Sequence, residues 1–219
     1  MNSKKKFAVI LAGSGVYDGS EIHEATLSMY AISKNGGEYQ LFAPNIDQHH
    51  VINHLTGEEM PEKRNVLVES ARIARGKVKD LKEFSEDQFD AILFPGGFGV
   101  AKNLCSFAFN GPDCMVNPDV EKALKEMHIA KKPIGALCIA PALIAKILGN
   151  VEVTIGQDAG TAEAITQMGA IHVNTNHGEI VFDKENKIVT TPCYMLDATI
   201  AQIGEGAEKV VKTIMALSI

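Results

Sequence analysis

The stretch 133–142, Pro-Ile-Gly-Ala-Leu-Cys-Ile-Ala-Pro-Ala, constrains this chain more than any other. It opens as a short apolar run, long enough for a buried strand, and stops at Cys138. Residues 140–146 then read as a helix, with Pro141 suited to its first turn. A chain that passes from strand to helix this quickly must turn sharply. The turn lifts the Cys138 side chain out at the carboxyl edge of a sheet, the geometry of a nucleophile elbow. The positive end of the following helix would favour a thiolate there. A buried structural cysteine fits the same stretch, because free Cys is among the most buried residue types. The rest of the chain decides between the two.

Residues 7–12 are apolar throughout, as expected of a strand covered on both faces in a parallel sheet. A Gly-Ser-Gly turn follows. Ser20 is placed to cap the next helix, with Glu21 and Glu24 in or near its first turn. That helix should stop at Asn35-Gly36-Gly37, and residues 39–43 supply a second strand. A β-α-β unit with glycines at its first turn invites comparison with a dinucleotide site. Glycines 13, 15 and 19 are spaced one residue too long for that fingerprint, and no acidic residue ends the second strand. The nearest is Asp47, beyond Pro44. No nucleotide cofactor is expected.

Residues 45–82 interrupt the alternation. They hold His49, His50 and His54, three of the seven histidines. Neighbouring side chains such as His49 and His50 point apart in most conformations, and no carboxylate cluster accompanies them. The segment reads as a surface insertion rather than a metal site, followed by a helix over 61–74 and a short strand at 78–81. Residues 89–94 form the next buried strand and end in Pro95-Gly96-Gly97-Phe98-Gly99. Adjacent glycines there let backbone approach a ligand closely and aim N–H groups at it. Helices are expected over 101–108 and 118–130. Beyond the elbow come a strand at 151–155, a helix at 161–168, strands at 179–182 and 187–191, and a closing helix over 196–217, loosened near Gly204 and Gly206.

This alternation argues an α/β, doubly wound three-layer sandwich formed by one domain over 1–219. Ligands in such folds lie off the carboxyl ends of the strands. The first-turn glycines with Glu21 and Glu24, the pair Gly96-Gly97, and Cys138 all map to that edge. Their convergence favours a functional Cys138.

Composition excludes several classes. A net charge of −6 argues against nucleic acid as the main partner. No run of about 18 apolar residues occurs, so no membrane span is expected. The apolar run after Lys4-Lys5-Lys6 is shorter than a signal-peptide core, which points to the cytoplasm, or to an organelle matrix if a transit peptide has been removed. None of Cys105, Cys114, Cys138 and Cys193 forms a C-x-x-C pair or has a His at zinc-finger spacing. Disulfides are not expected in a cytosolic chain of this size. Cys105, Cys114 and Cys193 read as structural, with Cys193 close to the sheet edge.

A strand ending in Pro-Gly-Gly, followed some forty residues later by Cys138 at an elbow, resembles the PfpI-like superfamily, a relative of the glutamine amidotransferases. The segments 15–24 (Gly-Val-Tyr-Asp-Gly-Ser-Glu-Ile-His-Glu), 51–58, 95–104, 138–142 and 187–192 look like its ElbB-type subgroup of isoprenoid-biosynthesis proteins with an amidotransferase-like domain. The resemblance implies a flavodoxin-like sandwich and a homodimer. It implies Cys138 as nucleophile with Glu24 set against it, and an oxyanion or substrate site made by Gly96, Gly97, Ile139 and Glu21. It implies no cofactor or metal. Many superfamily members place a His directly after the nucleophile, where this chain has Ile139, so a Cys-His dyad for peptide or glutamine hydrolysis is not expected. His177 reads as an exposed loop residue. The expectation is a glutathione-independent glyoxalase acting on a small 2-oxoaldehyde. The alternative is a redox sensor or a binding partner linked to isoprenoid metabolism.

Overall fold

A computed structural model describes residues 4–217. Its centre is a seven-stranded sheet built from β1 (Lys6–Ile10), β2 (Glu38–Ala43), β5 (Val78–Asp80), β6 (Ala91–Phe94), β7 (Ile134–Leu137), β10 (Val181–Asp183) and β11 (Ile188–Thr191). The spatial order is β10-β11-β7-β6-β1-β2-β5. Every neighbouring pair is parallel except β10–β11. The apolar runs of the sequence become the inner strands. Their side chains alternate, so Ala8, Ile10, Ile92 and Phe94 face one layer while Phe7, Val9 and Leu93 face the other.

Helices cover both faces. On one side α1 (Ile22–Lys34), α2 (Val66–Ala74) and α7 (Ile200–Ala216) pack against Phe7, Val9, Leu41 and Leu93. On the other side α4 (Pro118–Ile129), α5 (Ala140–Leu148) and α6 (Ala159–Gln167) bury Val120, Leu124, Leu143 and Ile165. The expected three-layer α/β architecture is therefore present. The strand order reverses between β1 and β6, which opens the sheet's carboxyl edge for a site.

Several elements differ from their sequence expectations, each for a local reason. Ser20 does not cap α1. Its hydroxyl accepts the Ala12 N–H at 2.8 Å and so closes the end of β1. The cap falls to Glu21, whose carboxylate accepts the Glu24 N–H at 2.7 Å. The helix expected over 61–74 begins only at Val66, because Asn65 caps it through the Val68 N–H. The helix expected over 101–108 is broken. A π-helical turn spans Val100–Leu104, Cys105 is extended, and a short α3 (Phe107–Asn110) follows. The last helix starts at Ile200, where Thr199 and Gln202 form a reciprocal capping box. It then runs unbroken through both glycines. Gly206 is there for close approach, since a Cβ on it would lie 2.8 Å from Thr191 Oγ1. The strand expected at 151–155 is present as β8 (Glu152–Val153), but it pairs in parallel with β9 (Ile171–His172), a strand that was not anticipated, instead of joining the seven-stranded sheet.

The segment 45–82, expected as a surface insertion, supplies α2 and the edge strand β5 to the main fold and adds a hairpin of β3 (Val51–Ile52) and β4 (Glu59–Met60). It is docked rather than loose. The Ile52 N–H donates to Asp18 Oδ2 at 2.8 Å, and the Tyr17 N–H donates to His54 Nε2 at 3.2 Å. The hairpin thereby clamps the glycine turn after β1 that borders the sheet edge. Among the described residues no group of His, Cys, Asp and Glu is arranged to hold a metal ion, and no helix is long and apolar enough to cross a membrane.

Candidate active site

Cys138 sits between β7 and α5 with φ of +59°. A non-glycine residue in this region is strained by about 1–3 kcal/mol and needs surrounding structure to hold it. The Cys138 N–H donates to Thr191 O at 3.0 Å, which ties the elbow to the end of β11. Pro141 occupies the first turn of α5, where its missing N–H leaves no hydrogen bond unmade. The thiol is buried but borders a cavity of about 440 Å³, whose walls include Val16, Phe98, Phe107, Ile139 and Met195.

Glu24 projects from the first turn of α1 and is fully buried. Its Oε2 accepts the Gly96 N–H at 2.8 Å, and its Oε1 accepts the Tyr194 N–H at 3.3 Å. Its side chain also bonds the Cys138 thiol. Burial first, and the Glu21 carboxylate second, push the Glu24 pKa up to about 8. These outweigh two backbone donors and the thiol, so the carboxyl is mostly neutral at pH 7.

Cys138 departs from the sequence expectation of a favoured thiolate. Burial pushes its pKa up, as does the neighbouring Glu24 while that group is charged. The N–H groups of Gly97 and Ile139 bond the sulfur and pull the other way, but do not offset the loss of water. The two groups therefore behave as one buried pair that shares its protons.

Gly97 and Ile139, which the resemblance implied as an oxyanion site, aim backbone N–H groups at the Cys138 sulfur. Gly96 has a different place. Its N–H is taken by Glu24, and its missing side chain is what brings Glu24 and Cys138 together. A Cβ there would lie 2.4 Å from Cys138 Cβ and 2.6 Å from Glu24 Oε2. Glu21 is spent on the helix cap and on raising Glu24, and it does not border the cavity. His177 is exposed and is not part of the cavity wall.

Residues after β11 complete the site. Cys193, with φ of +45°, is buried close enough to Glu24 and Cys138 for their charges to push its pKa up, after burial itself. Tyr194 borders the cavity, donates its N–H to Glu24, and pairs its hydroxyl with His23 Nδ1 at 2.9 Å. Tyr194 is not singled out by the sequence reading. The available signal is its position just past Thr190-Thr191-Pro192 at a strand end, which places it on the carboxyl edge.

Gly97 makes the turn itself possible. Its φ is +98°, and a Cβ would lie 2.3 Å from Glu21 N and 2.4 Å from Gly19 O, both backbone atoms that cannot swing aside. Gly97→Ala is expected to cost about 3 kcal/mol in urea unfolding, from strain and overpacking together. Gly36→Ala is the control, since Gly36 has φ of +83° with nothing near its Cβ position, and should cost about 1 kcal/mol. Equal losses at the two positions would remove the packing argument.

No protein-family model matches the chain. The mitochondrial ES1 protein homolog of Rattus norvegicus is 48% identical over 225 residues, covering 98% of this chain and 85% of the rat protein. The human mitochondrial glutamine amidotransferase-like class 1 domain-containing protein 3 is 49% identical over 223 residues, covering 97% of this chain and 83% of its own length. The chain belongs to this ES1 family. A solved structure fits the same assignment. The isoprenoid biosynthesis protein with amidotransferase-like domain from Ehrlichia chaffeensis is 39% identical, with a TM-score of 0.89 over 95% of this chain and 98% of that one. Glyoxalase III of Candida albicans shares the fold, with 16% identity and a TM-score of 0.63 over 97% of this chain and 96% of that one. The flavodoxin-like sandwich of this ES1-family chain is that of the amidotransferase-like protein, and a ThiJ/PfpI domain protein of Brachyspira murdochii shares the fold at 16% identity.

Proposed function

We propose that this ES1-family protein is a cofactor-independent glyoxalase that converts a 2-oxoaldehyde to a 2-hydroxy acid. The observation that carries the reading is the buried Cys138–Glu24 pair beneath a cavity, with two backbone N–H groups on the sulfur and no imidazole in the pair. An aldehyde is electrophilic enough to accept such a sulfur without a Cys-His dyad. A carboxyl raised to about 8 can both give and take a proton near neutral pH. The fold shared with the Candida glyoxalase III is consistent with this chemistry.

With methylglyoxal, the pair that has lost one proton presents Glu24 as carboxylate and Cys138 as thiol, since Glu24 titrates at about 8 and burial pushes the thiol well above its ordinary value. As Sγ bonds to the aldehyde carbon C1 its proton passes to Glu24, the displaced π pair goes to O1, and O1 takes that proton from Glu24 in turn. In this reading the Gly97 and Ile139 N–H groups, aimed at the sulfur, turn to the oxyanion as it develops beside it. Glu24, now a carboxylate, removes the C1 hydrogen to give an enediolate and returns it to C2. The O1 hydroxyl proton passes to O2, leaving a thioester of lactate. Water adds to the thioester carbonyl and breaks the C–S bond, releasing lactic acid and restoring the thiol.

The test is lactate production from methylglyoxal by purified protein without glutathione, with glycolate from glyoxal as the parallel reaction. We expect both products above a protein-free control. Formation of neither across pH 6–9 would overturn the reading. The compartment we assign is a reducing one, the cytoplasm or the mitochondrial matrix, the latter because both mammalian relatives are named as mitochondrial.

A further inference from the structure

We propose that Cys105 and Cys114 form a second reactive thiol centre, a pair that a hydroperoxide closes into a reversible disulfide at the two ends of the segment that carries Phe107 and Ala108 into the wall of the Cys138 cavity. The two thiols have no part in the reaction above. They flank the broken helical segment, where Cys105 bridges Val116 in an antiparallel pairing and the Ser106 N–H donates to Met115 O at 2.9 Å. Residue 114 lies two positions from 116, so its side chain falls on the same face as Cys105, as a diagonal neighbour. The two thiols lie close enough for each to shift the other's titration. Closing the bond brings their Cβ atoms to about 4 Å.

The electrostatics divide the two roles. The Cys114 thiol is lowered to about 7 by the bond from Cys105, with a further contribution from the Lys146 ammonium. Lys146 is held nearby, its Nζ donating to Pro112 O at 2.8 Å. The Cys105 thiol is pushed up, first by its bond to Cys114 and then by burial. It keeps its single proton, for which the Cys114 sulfur and Val100 O at 3.3 Å are the alternative acceptors. Cys114 is thus the thiolate and Cys105 the adjacent resolving thiol, while the burial of Cys138 keeps that sulfur protonated. Both side chains are covered, but Cys114 lies under the short 3₁₀ turn Gly111–Asp113, next to the exposed Met115. A small oxidant would reach Cys114 past that turn, none of whose residues is buried.

The step balances with one hydroperoxide. The Cys114 thiolate attacks the O–O bond, forms S–O and expels hydroxide or alkoxide, which takes a proton to leave as water or alcohol. Cys105 sulfur then bonds to Cys114 sulfur, the S–O bond breaks, and water leaves with the Cys105 proton. Two thiols are oxidised and one peroxide is reduced. The disulfide closes a ring over 105–114 that contains Phe107 and Ala108, both on the cavity wall. Thioredoxin-type dithiols would reopen it.

The experiment uses hydrogen peroxide on the full chain, then alkylation of free thiols in denaturant and tryptic mass analysis. Residues 103–122 contain no internal Lys or Arg, so both cysteines fall on one peptide. We expect that peptide two hydrogens lighter and unalkylated, restored to the doubly alkylated form by dithiothreitol. Oxygen added at Met115 is a separate and additive mass. In Cys105→Ser the disulfide should be lost, and Cys114 should instead be labelled by dimedone as a sulfenic acid. Cys138→Ala is expected to form the disulfide as the wild type does, which keeps this readout independent of any glyoxalase activity. Full alkylation of both cysteines after peroxide treatment that oxidises Cys138, or over-oxidation of Cys114 without a disulfide, would overturn the proposal.

Discussion

Cys138→Ala is expected to abolish lactate formation from methylglyoxal, and Glu24→Gln to lower it by about 10²–10⁴-fold. The alanine variant has no atom that can bond to C1. The glutamine variant keeps a side chain of similar size but cannot take the C1 hydrogen. Cys138→Ser tests the sulfur itself, since a buried hydroxyl is a far weaker nucleophile. Wild-type turnover should rise with pH toward about 8, because the active form is the pair after loss of one proton, and Glu24 holds that proton up to about 8. The check is a pH profile of kcat/KM for methylglyoxal, with circular dichroism to establish that the variants are folded. Full activity in Cys138→Ser, or a rate that is flat from pH 6 to 8, would remove the Cys–Glu mechanism.

Legibility of this site in the sequence depended on which atoms carry the chemistry. Cys138 and Gly96-Gly97 are readable because a strand-to-helix turn and a double glycine at a strand end are local events. Glu24 required the resemblance, because Glu21 stands three residues away and composition does not distinguish them. The structure separates them by the helix start. With Glu21 as cap, Glu24 points inward one turn on, toward Gly96 and Cys138. The ionisation state of Cys138 was read from the helix end behind it. That contribution exists, as the Ile139 N–H on the sulfur, but burial is set by side chains far apart in sequence and exceeds it. The docking of the insertion was also hidden. It rests on single bonds such as Ile52 N–H to Asp18, between segments 34 residues apart. The broken helix at Cys105 has the same origin, since its extended backbone pairs with Val116 rather than continuing the helix.

The wild-type protein is expected to lose more stability between pH 5 and pH 8 than Glu24→Gln does. Glu24 is raised from 4.5 in the unfolded reference to about 8 in the fold. Between those values the folded chain holds a proton that the unfolded chain has released. Unfolding then lowers the number of bound protons, so stability falls as pH rises. The contribution is fully present below pH 4.5 and is gone once the pH passes about 8, where a bare carboxylate is buried. At about 1.4 kcal/mol per pH unit the whole interval is worth at most about 5 kcal/mol. Glutamine removes the titration. It also leaves either the Gly96 or the Tyr194 N–H without its oxygen partner, a constant loss of about 1–2 kcal/mol that shifts the curve without tilting it. Urea unfolding of both proteins at pH 5, 6, 7 and 8 separates the slope from the offset. A wild-type curve parallel to that of Glu24→Gln would mean that Glu24 is already ionised in the fold at pH 5. A Glu24 ionised at pH 5 would be too weak a base to take the proton of the buried Cys138 thiol, and turnover would not then climb toward pH 8, so the stability slope bears on the reaction before any substrate is added.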